Sequence, residues 1–250
     1  MRLVSWNMGC APPMARYRKK HSDAWRYLLE ILAPDVAFVQ EAMISTDPTA
    51  TYGGQLFWSE DCGSDSGTAI WVRDGLCVEN VSIRSKGSYL AAVQLPISGA
   101  PTQMVSVHVG GPNYRQHLRI LTDELEQHLR GKRFVVAGDL NAARHLDNVQ
   151  GGKWFTRFFE DLDRRNFCDC HWKQHGGEIQ SFWGHQAKNP YQCDHAFTDP
   201  SSSGQVSSCH ILPYDPVREF SDHSPLLLVL HDNDGLTLIR PPVVKGKKDR

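Results

Sequence analysis

FVVAGDLNAARH, Phe134 to His145, changes character at its fifth residue. Phe134–Ala137 is an apolar run of the length of a buried strand. Gly138 follows, then Asp139 and Asn141, a carboxylate and an amide of the same parity. Two readings are open: an ordinary polar turn, or two side chains sent to one side of a strand end, toward a ligand. The residues around this stretch decide between them.

Similar β-type runs recur on both sides of it. They are RLVSW (2–6), VAFVQ (36–40), TAIWV (68–72), LCVENVSI (76–83), YLAAVQL (89–95) and QMVSVHV (103–109). RFVVAG (133–138), CDHAFT (193–198), QVSSCHI (205–211) and PLLLVL (225–230) continue the series. Many are rich in Val, Ile and aromatics and bounded by turn residues. Three helices are expected between them. The first covers about Asp23 to Leu32, with Ser22 as its cap and Pro34 as its stop. The second covers about Tyr114 to Arg130, with a stripe at Leu118, Leu121, Leu125 and Leu129 and a stop at Gly131. The third covers about Trp154 to Arg165, with Phe155, Phe158, Phe159 and Leu162 on one face. The first two helices each join two strands, as βαβ units do, and the middle strands read as hairpins. The fold class is α/β (α+β), with mixed sheets and helices packed outside.

Several of the strands end on a polar residue. VSWN ends on Asn7, VAFVQE on Glu41, VSVH near His108, and VVAGDLN on Asp139 and Asn141. Asp194 lies inside an otherwise apolar strand, where a carboxylate needs a partner. Asp222 and His223 stand just ahead of the last strand. Singly, each is better read as a turn residue or a hydrogen-bonded histidine. Together they describe a polar cluster at one rim of a sheet sandwich.

Composition sets limits on the partners. The 250 residues carry a formal net charge of −1, which gives no global pull toward nucleic acid or anionic membrane. No apolar run is long enough to span a bilayer, so no membrane insertion is expected. The chain enters a strand pattern at once, without the shape of a signal peptide. The seven cysteines are an odd number, read as free thiols in a reducing cytoplasm. Cys168, Cys170 and His171 lack the spacing of a zinc knuckle. No internal repeat or interdomain linker stands out. One domain is expected over 1–232, followed by a basic, Pro-led tail, 233–250, expected to be disordered.

An all-oxygen set such as Glu41, Asn7 and a further carboxylate suits a hard cation, Mg²⁺ or Mn²⁺. A hard cation, imidazoles and a spare carboxylate together suit attack of water on a phosphate ester.

SWNMG, VQEA, SVHV, GDLNA, YQCDHAF and FSDHSP, in this order between Asn7 and His223, resemble the endonuclease/exonuclease/phosphatase superfamily, whose fold is like that of deoxyribonuclease I. The resemblance implies a four-layered α/β/β/α sandwich with two central mixed β-sheets. It implies Glu41 as the main metal ligand, with Asn7 close by and Asp222 binding metal directly or through water. It implies that Asp139 activates or orients the attacking water and that Asn141 positions water and phosphate. It implies His223 facing the phosphoryl group, Asp194 orienting His223, and His108 as a phosphate contact. His108 stands where abasic-site endonucleases of the family carry Tyr. Gln192 replaces a usual basic residue, and His195 stands where an aromatic is frequent. Ser181, ahead of Phe182 and Trp183, matches a family position near the phosphate, although core aromatics explain those two rings equally well.

Basic and aromatic side chains near such a site suit a nucleic-acid backbone and its bases. MARYRKKH (14–21), Tyr114, Arg115 and Arg119, and WGHQAKNPY (183–191) with Lys188 supply them. Three functions remain open on these residues: a phosphodiesterase acting on DNA or RNA, a phosphatase or phosphodiesterase for a small molecule or lipid headgroup, and a non-catalytic binding module on the same fold. No obligate protein partner is implied.

Overall fold

The computed structural model describes residues 1–9, 18–59, 66–184 and 191–231. The tail, residues 14–17 of the 14–21 stretch and residues 185–190 of the 183–191 stretch, Lys188 included, lie outside them.

In chain order the strands are β1 (Arg2–Asn7), β2 (Val36–Met43), β3 (Gln55–Trp58), β4 (Ser66–Val72), β5 (Glu79–Val81) and β6 (Ser88–Ile97). β7 (Ala100–Val109), β8 (Arg133–Asp139), β9 (Cys168–Asp169), β10 (Asp194–Thr198), β11 (Val206–Ile211) and β12 (Leu226–Leu230) follow. The helices are α1 (Arg18–Arg26), α2 (Thr49–Tyr52), α3 (Tyr114–Leu129), α4 (Leu146–Gln150), α5 (Trp154–Arg164), α6 (Cys170–His175) and α7 (Pro200–Ser203). α1 runs on as a π-helical turn, Tyr27–Leu32, that stops at Ala33 in the left-handed region, just before Pro34.

Among the described residues two six-stranded sheets form, ordered β11-β12-β1-β2-β4-β3 and β5-β6-β7-β8-β10-β9. Both are mixed. β1 and β2 are parallel, as are β7 and β8, and these are the two strand pairs bridged by the long helices. β6 and β7 form the expected hairpin. Residue parity separates the layers. Leu3, Phe38, Ile70, Val93, Val135 and Leu228 meet between the sheets. Val4, Trp6 and Val39 pack outward against Trp25 and Leu28 of the first helical segment. Val105, Val107 and Val136 pack outward against the Leu stripe of α3 and the Phe face of α5. The result is helix, sheet, sheet, helix.

Three local expectations change. Ser22 lies inside α1, because the helix begins at least four residues earlier, at Arg18. The strand expected over 76–83 pairs only at Glu79–Val81, while Leu76 and Val78 pack against the inter-sheet core without joining the ladder. β3 and β9 are additional edge strands, short and only partly apolar.

Candidate active site

The same parity that builds the inter-sheet core delivers the polar cluster. On β8, Val135 and Ala137 face the opposing sheet, so Asp139 continues that face. On β7, Met104 faces inward and His108 keeps its parity; on β10, Ala196 faces inward and so does Asp194. On β1, Leu3 faces inward and Asn7 follows in step. Register brings these ends to one level, since Asp139 pairs with both His108 and Asp194. The cluster therefore closes one open end of the layer between the sheets.

Gly138 is required by its neighbour. A Cβ there would collide with the Val107 carbonyl oxygen and lie 2.8 Å from its carbon. Glu41 arrives differently. Simple alternation from Phe38 and Gln40 would turn it outward. β2 bulges between Val39 and Ala42, and Glu41 takes a positive φ of 50°. Bulges re-aim side chains in this way, and backbone strain concentrates where a site needs it. Below the bulge, Gln40 Nε2 donates to Ser106 Oγ of the other sheet at 3.0 Å, a buried polar tie under the site.

At the centre, Asn7 Nδ2 donates to Asp139 Oδ2 at 2.9 Å and to Glu41 Oε1 at 3.2 Å. Its Oδ1 accepts from the Gly9 amide at 2.9 Å. His108 Nε2 stands 3.5 Å from Glu41 Oε1 and 4.0 Å from Asp139 Oδ2. Asn141 has φ 49°. Its backbone N–H donates to Asp139 Oδ1 at 2.8 Å and its Nδ2 to the Val109 carbonyl at 2.8 Å. The turn reading of the opening stretch holds: the chain makes a carboxylate-capped turn in which the Asn141 amide fixes the Asp139 carboxylate. Strand parity does not carry Asn141, because β8 ends at Asp139.

On the other side of Asp139, His223 Nε2 lies 3.7 Å from Asp139 Oδ2 while its Nδ1 bonds Asp194 Oδ2 at 2.9 Å. A carboxylate oxygen only accepts, so Nδ1 carries the proton. Burial disfavours the imidazolium, but Asp194 and Asp139 outweigh it and raise His223 to about 10. Burial also pushes the Asp139 carboxyl up, reinforced by Asp194 and opposed by His223 and His108. The ligand-type atoms of Asp139, Asp194 and His223 all lie within 4.8 Å of one another. Asp194 and His223 are joined by a hydrogen bond, while Asp139 approaches His223 only as an ionic contact at 3.7 Å.

Ser181 differs from expectation. It is fully buried; its hydroxyl donates to Asp194 Oδ2 at 2.7 Å and accepts from the Cys193 and Asp194 amides. It orients the carboxylate and has no face for a phosphate. Arg115 also departs from the site. Its guanidinium sits over Trp154 and Phe155 and bonds Gln150. Tyr114 stacks on Phe155, 6.2 Å between centroids, and lines a recess of about 300 Å³ with Asn141, Phe182, Tyr191 and Cys193. Phe182 packs on His223, 4.9 Å between ring centres. His195 is buried, its Nε2 donating to the Ala142 and Gln192 carbonyls, so these two departures from the family pattern support the backbone behind the site. Asp222 is half-buried beside Gly9, and a Cβ at Gly9 would lie 3.2 Å from its Oδ1.

Sequence reasoning missed Ser221. Its hydroxyl donates to the Asn7 carbonyl at 2.6 Å and accepts from the His223 amide at 2.9 Å. One side chain thus joins two motifs 214 residues apart. A small polar residue two positions before the histidine was the available signal.

The model of the endonuclease/exonuclease/phosphatase family matches residues 4–223. The chain belongs to this family. Its members are hydrolases of phosphate esters, and many use divalent metals. Solved structures share the fold at low identity. An abasic-site (AP) endonuclease, LMAP, from Leishmania major aligns at 19% identity and TM-score 0.71, over 92% of this chain and 87% of that one. Humanized D. rerio TDP2 aligns at 18% and 0.67, over 92% and 98%. The 3′ phosphatase NExo from Neisseria, bound to product DNA hairpin, aligns at 17% and 0.69, over 92% and 99%. No curated protein sequence matches the chain.

The family's divalent cation fits the residues present. Glu41, whose side chain is 31% exposed, and Asp139 converge on one amide, with Asp222 nearby, an oxygen-rich acidic set of the kind hard cations take. Glu41 would hold it, with Asn7 Nδ2 steadying Glu41 and Asp139 while its Oδ1 accepts from the Gly9 amide, and bound there the cation would offset charge on the phosphoryl oxygens. Asp139, with its carboxyl pushed up, is a stronger base than a free carboxylate. His223, held protonated by Asp194, carries a positive charge beside it.

Proposed function

We propose that this protein is a Mg²⁺- or Mn²⁺-dependent phosphodiesterase that cleaves DNA or RNA. In this reading Asp139 activates water, Asn141 and His108 contact the phosphate, His223 stabilises the phosphoryl charge, and Asp194 positions His223. Glu41, Asn7 and Asp222 serve the metal. Tyr114 lies in a recess that would take a sugar or base.

The observation that supports a diester over a monoester is the pair of recesses at the cluster. One opens past Asn141 and the other past His108, and Gly110 and Gly111 line both. A phosphodiester has two substituents and needs room on both sides of the phosphorus; a monoester needs one. A nucleic-acid substrate is supported by a neighbour of the same fold, D. rerio TDP2 complexed with single strand DNA product, at 18% identity and TM-score 0.65. The five described cysteines are free, which suits the reducing cytoplasm we assign to the protein.

Incubation with Mg²⁺ or Mn²⁺ and a panel of bis-p-nitrophenyl phosphate, p-nitrophenyl phosphate, plasmid and single-stranded oligonucleotides tests this. Cleavage of nucleic acid and of the diester, abolished by chelator, is expected. Turnover of the monoester alone would overturn the diester reading. Absence of turnover under any metal would overturn the catalytic one.

A further inference from the structure

A cavity of about 730 Å³ opens on the far side of His108 from Asn141. One wall is a tight turn. Ser85 and Ser88 pair across it, with Lys86 and Gly87 at its tip and Gly87 at φ 84°. The other wall is the Gly110–Gly111 segment. His117 of α3 ties the walls together. Its Nδ1 donates to the Gly110 carbonyl at 3.0 Å, and a Cβ on Gly87 would overlap its ring.

Three features define what would fit. Tyr89 is 42% exposed and stacks on His108, 6.0 Å between ring centres with planes 25° apart, which leaves an aromatic surface beside the reacting phosphate. Arg84 and Lys86 are exposed at the rim. Ser85, Ser88 and the acidic Glu124 stand on the wall, with Ser85 Oγ, Ser88 Oγ and Glu124 Oε2 sealed from solvent and so not offered to a ligand.

We infer that this cavity is a nucleotide subsite for the residue next to the scissile phosphate: its base lies on Tyr89, and its own phosphate faces Arg84 and Lys86. Every base offers a π-face for stacking. A pure polyanion, such as a polyphosphorylated headgroup, would meet Glu124 unfavourably and leave the aromatic surface unused. The inference rests on the diesterase reading and extends it from bond to substrate.

Two measurements test it. Binding of a fluorescent single-stranded oligonucleotide is followed by anisotropy in chelator, and kcat/KM is compared for oligonucleotide and bis-p-nitrophenyl phosphate. Tyr89→Ala should weaken oligonucleotide binding by about 5- to 100-fold, with Tyr89→Phe close to wild type. The loss of kcat/KM should be several-fold larger on oligonucleotide than on the small diester. Lys86→Ala should lower the slope of log K against log salt by about 0.7, one single-strand phosphate contact. Equal losses on both substrates would mean that Tyr89 only props His108 and would overturn the subsite. Unchanged binding and slope would do the same. Wild type that cleaves the small diester but neither cleaves nor binds oligonucleotide would overturn the nucleic-acid reading itself, a different result from wild type that cleaves with variants unaffected.

Discussion

The Asn7 amide at the end of β1 donates at 2.9 Å to the Asp139 carboxylate at the end of β8, so the two sheets meet at the site itself. The same nitrogen reaches Glu41 of β2. Asp139 is the group shared by the metal side, Asn7 and Glu41, and by the imidazole side, His223. Asp139→Asn keeps the shape and removes the base. Hydrolysis of bis-p-nitrophenyl phosphate should fall by roughly 100-fold or more, with little change in melting temperature because a buried charge has been removed. Activity within a few-fold of wild type would remove Asp139 from its role.

Asp194 acts through His223, so the two should not be independent. Asp194→Asn and His223→Ala should each lower the rate by roughly 100-fold, and the double variant should be far less impaired than the product of the two, as for residues that work as a unit. Ser181 belongs to the same chain of contacts through its bond to Asp194. The measurement is a double-mutant cycle on kcat/KM. Multiplicative effects would separate the pair.

Metal binding is tested apart from turnover. Added Mn²⁺ or Mg²⁺ should raise the melting temperature of the wild type, since a ligand of the folded state stabilises it by mass action. Glu41→Gln should abolish most of that rise while leaving the metal-free melting temperature within a few degrees. An undiminished shift in Glu41→Gln would place the cation elsewhere.

Most of the site was readable because strand parity is a strict rule. Once the apolar alternation of β1, β7, β8 and β10 is written down, Asn7, His108, Asp139 and Asp194 fall on the inner face. Glu41 breaks that rule. Its place depends on a bulge at residues that look like a continuous strand, and no periodicity announces a bulge. The direction of side chains off the strands was also hidden. Ser181 reads as a hydroxyl near the phosphate, yet all its bonds point into the protein. Arg115 reads as a phosphate ligand until α4 and α5 supply Gln150 and Trp154 to hold it. Short edge elements such as β9 arise from tertiary pairing rather than local pattern.

Gly138 gives a stability prediction. It sits where β8 passes Val107 so closely that a methyl group would collide with the Val107 carbonyl. Gly138→Ala must push apart the parallel pair that carries His108 and Asp139. A loss of about 3 kcal/mol or more is expected, read from urea unfolding, and the catalytic rate of the surviving folded fraction should fall with it. A Gly138→Ala protein of wild-type stability would show that β7 and β8 are not so closely apposed.

Two histidines away from the phosphate cluster should set the acid limit of the fold. Burial lowers His21 to about 4, helped by Lys20, and lowers His171 to about 4, helped by His175. Both ring nitrogens of His21 and Nδ1 of His171 are buried without a hydrogen-bond partner among the described residues. An unfolded histidine titrates near 6.5. Between these values the unfolded chain binds more protons than the folded one, so stability is full above about pH 6.5 and declines as the pH falls toward 4. By linkage each histidine's share of the loss grows as the pH falls from 6.5 toward 4. The urea midpoint should therefore drop between pH 7.5 and pH 5, against an opposing gain from the raised His223, and His171→Gln should make that drop smaller. A midpoint independent of pH over this range would mean that both imidazoles find hydrogen-bond partners when protonated.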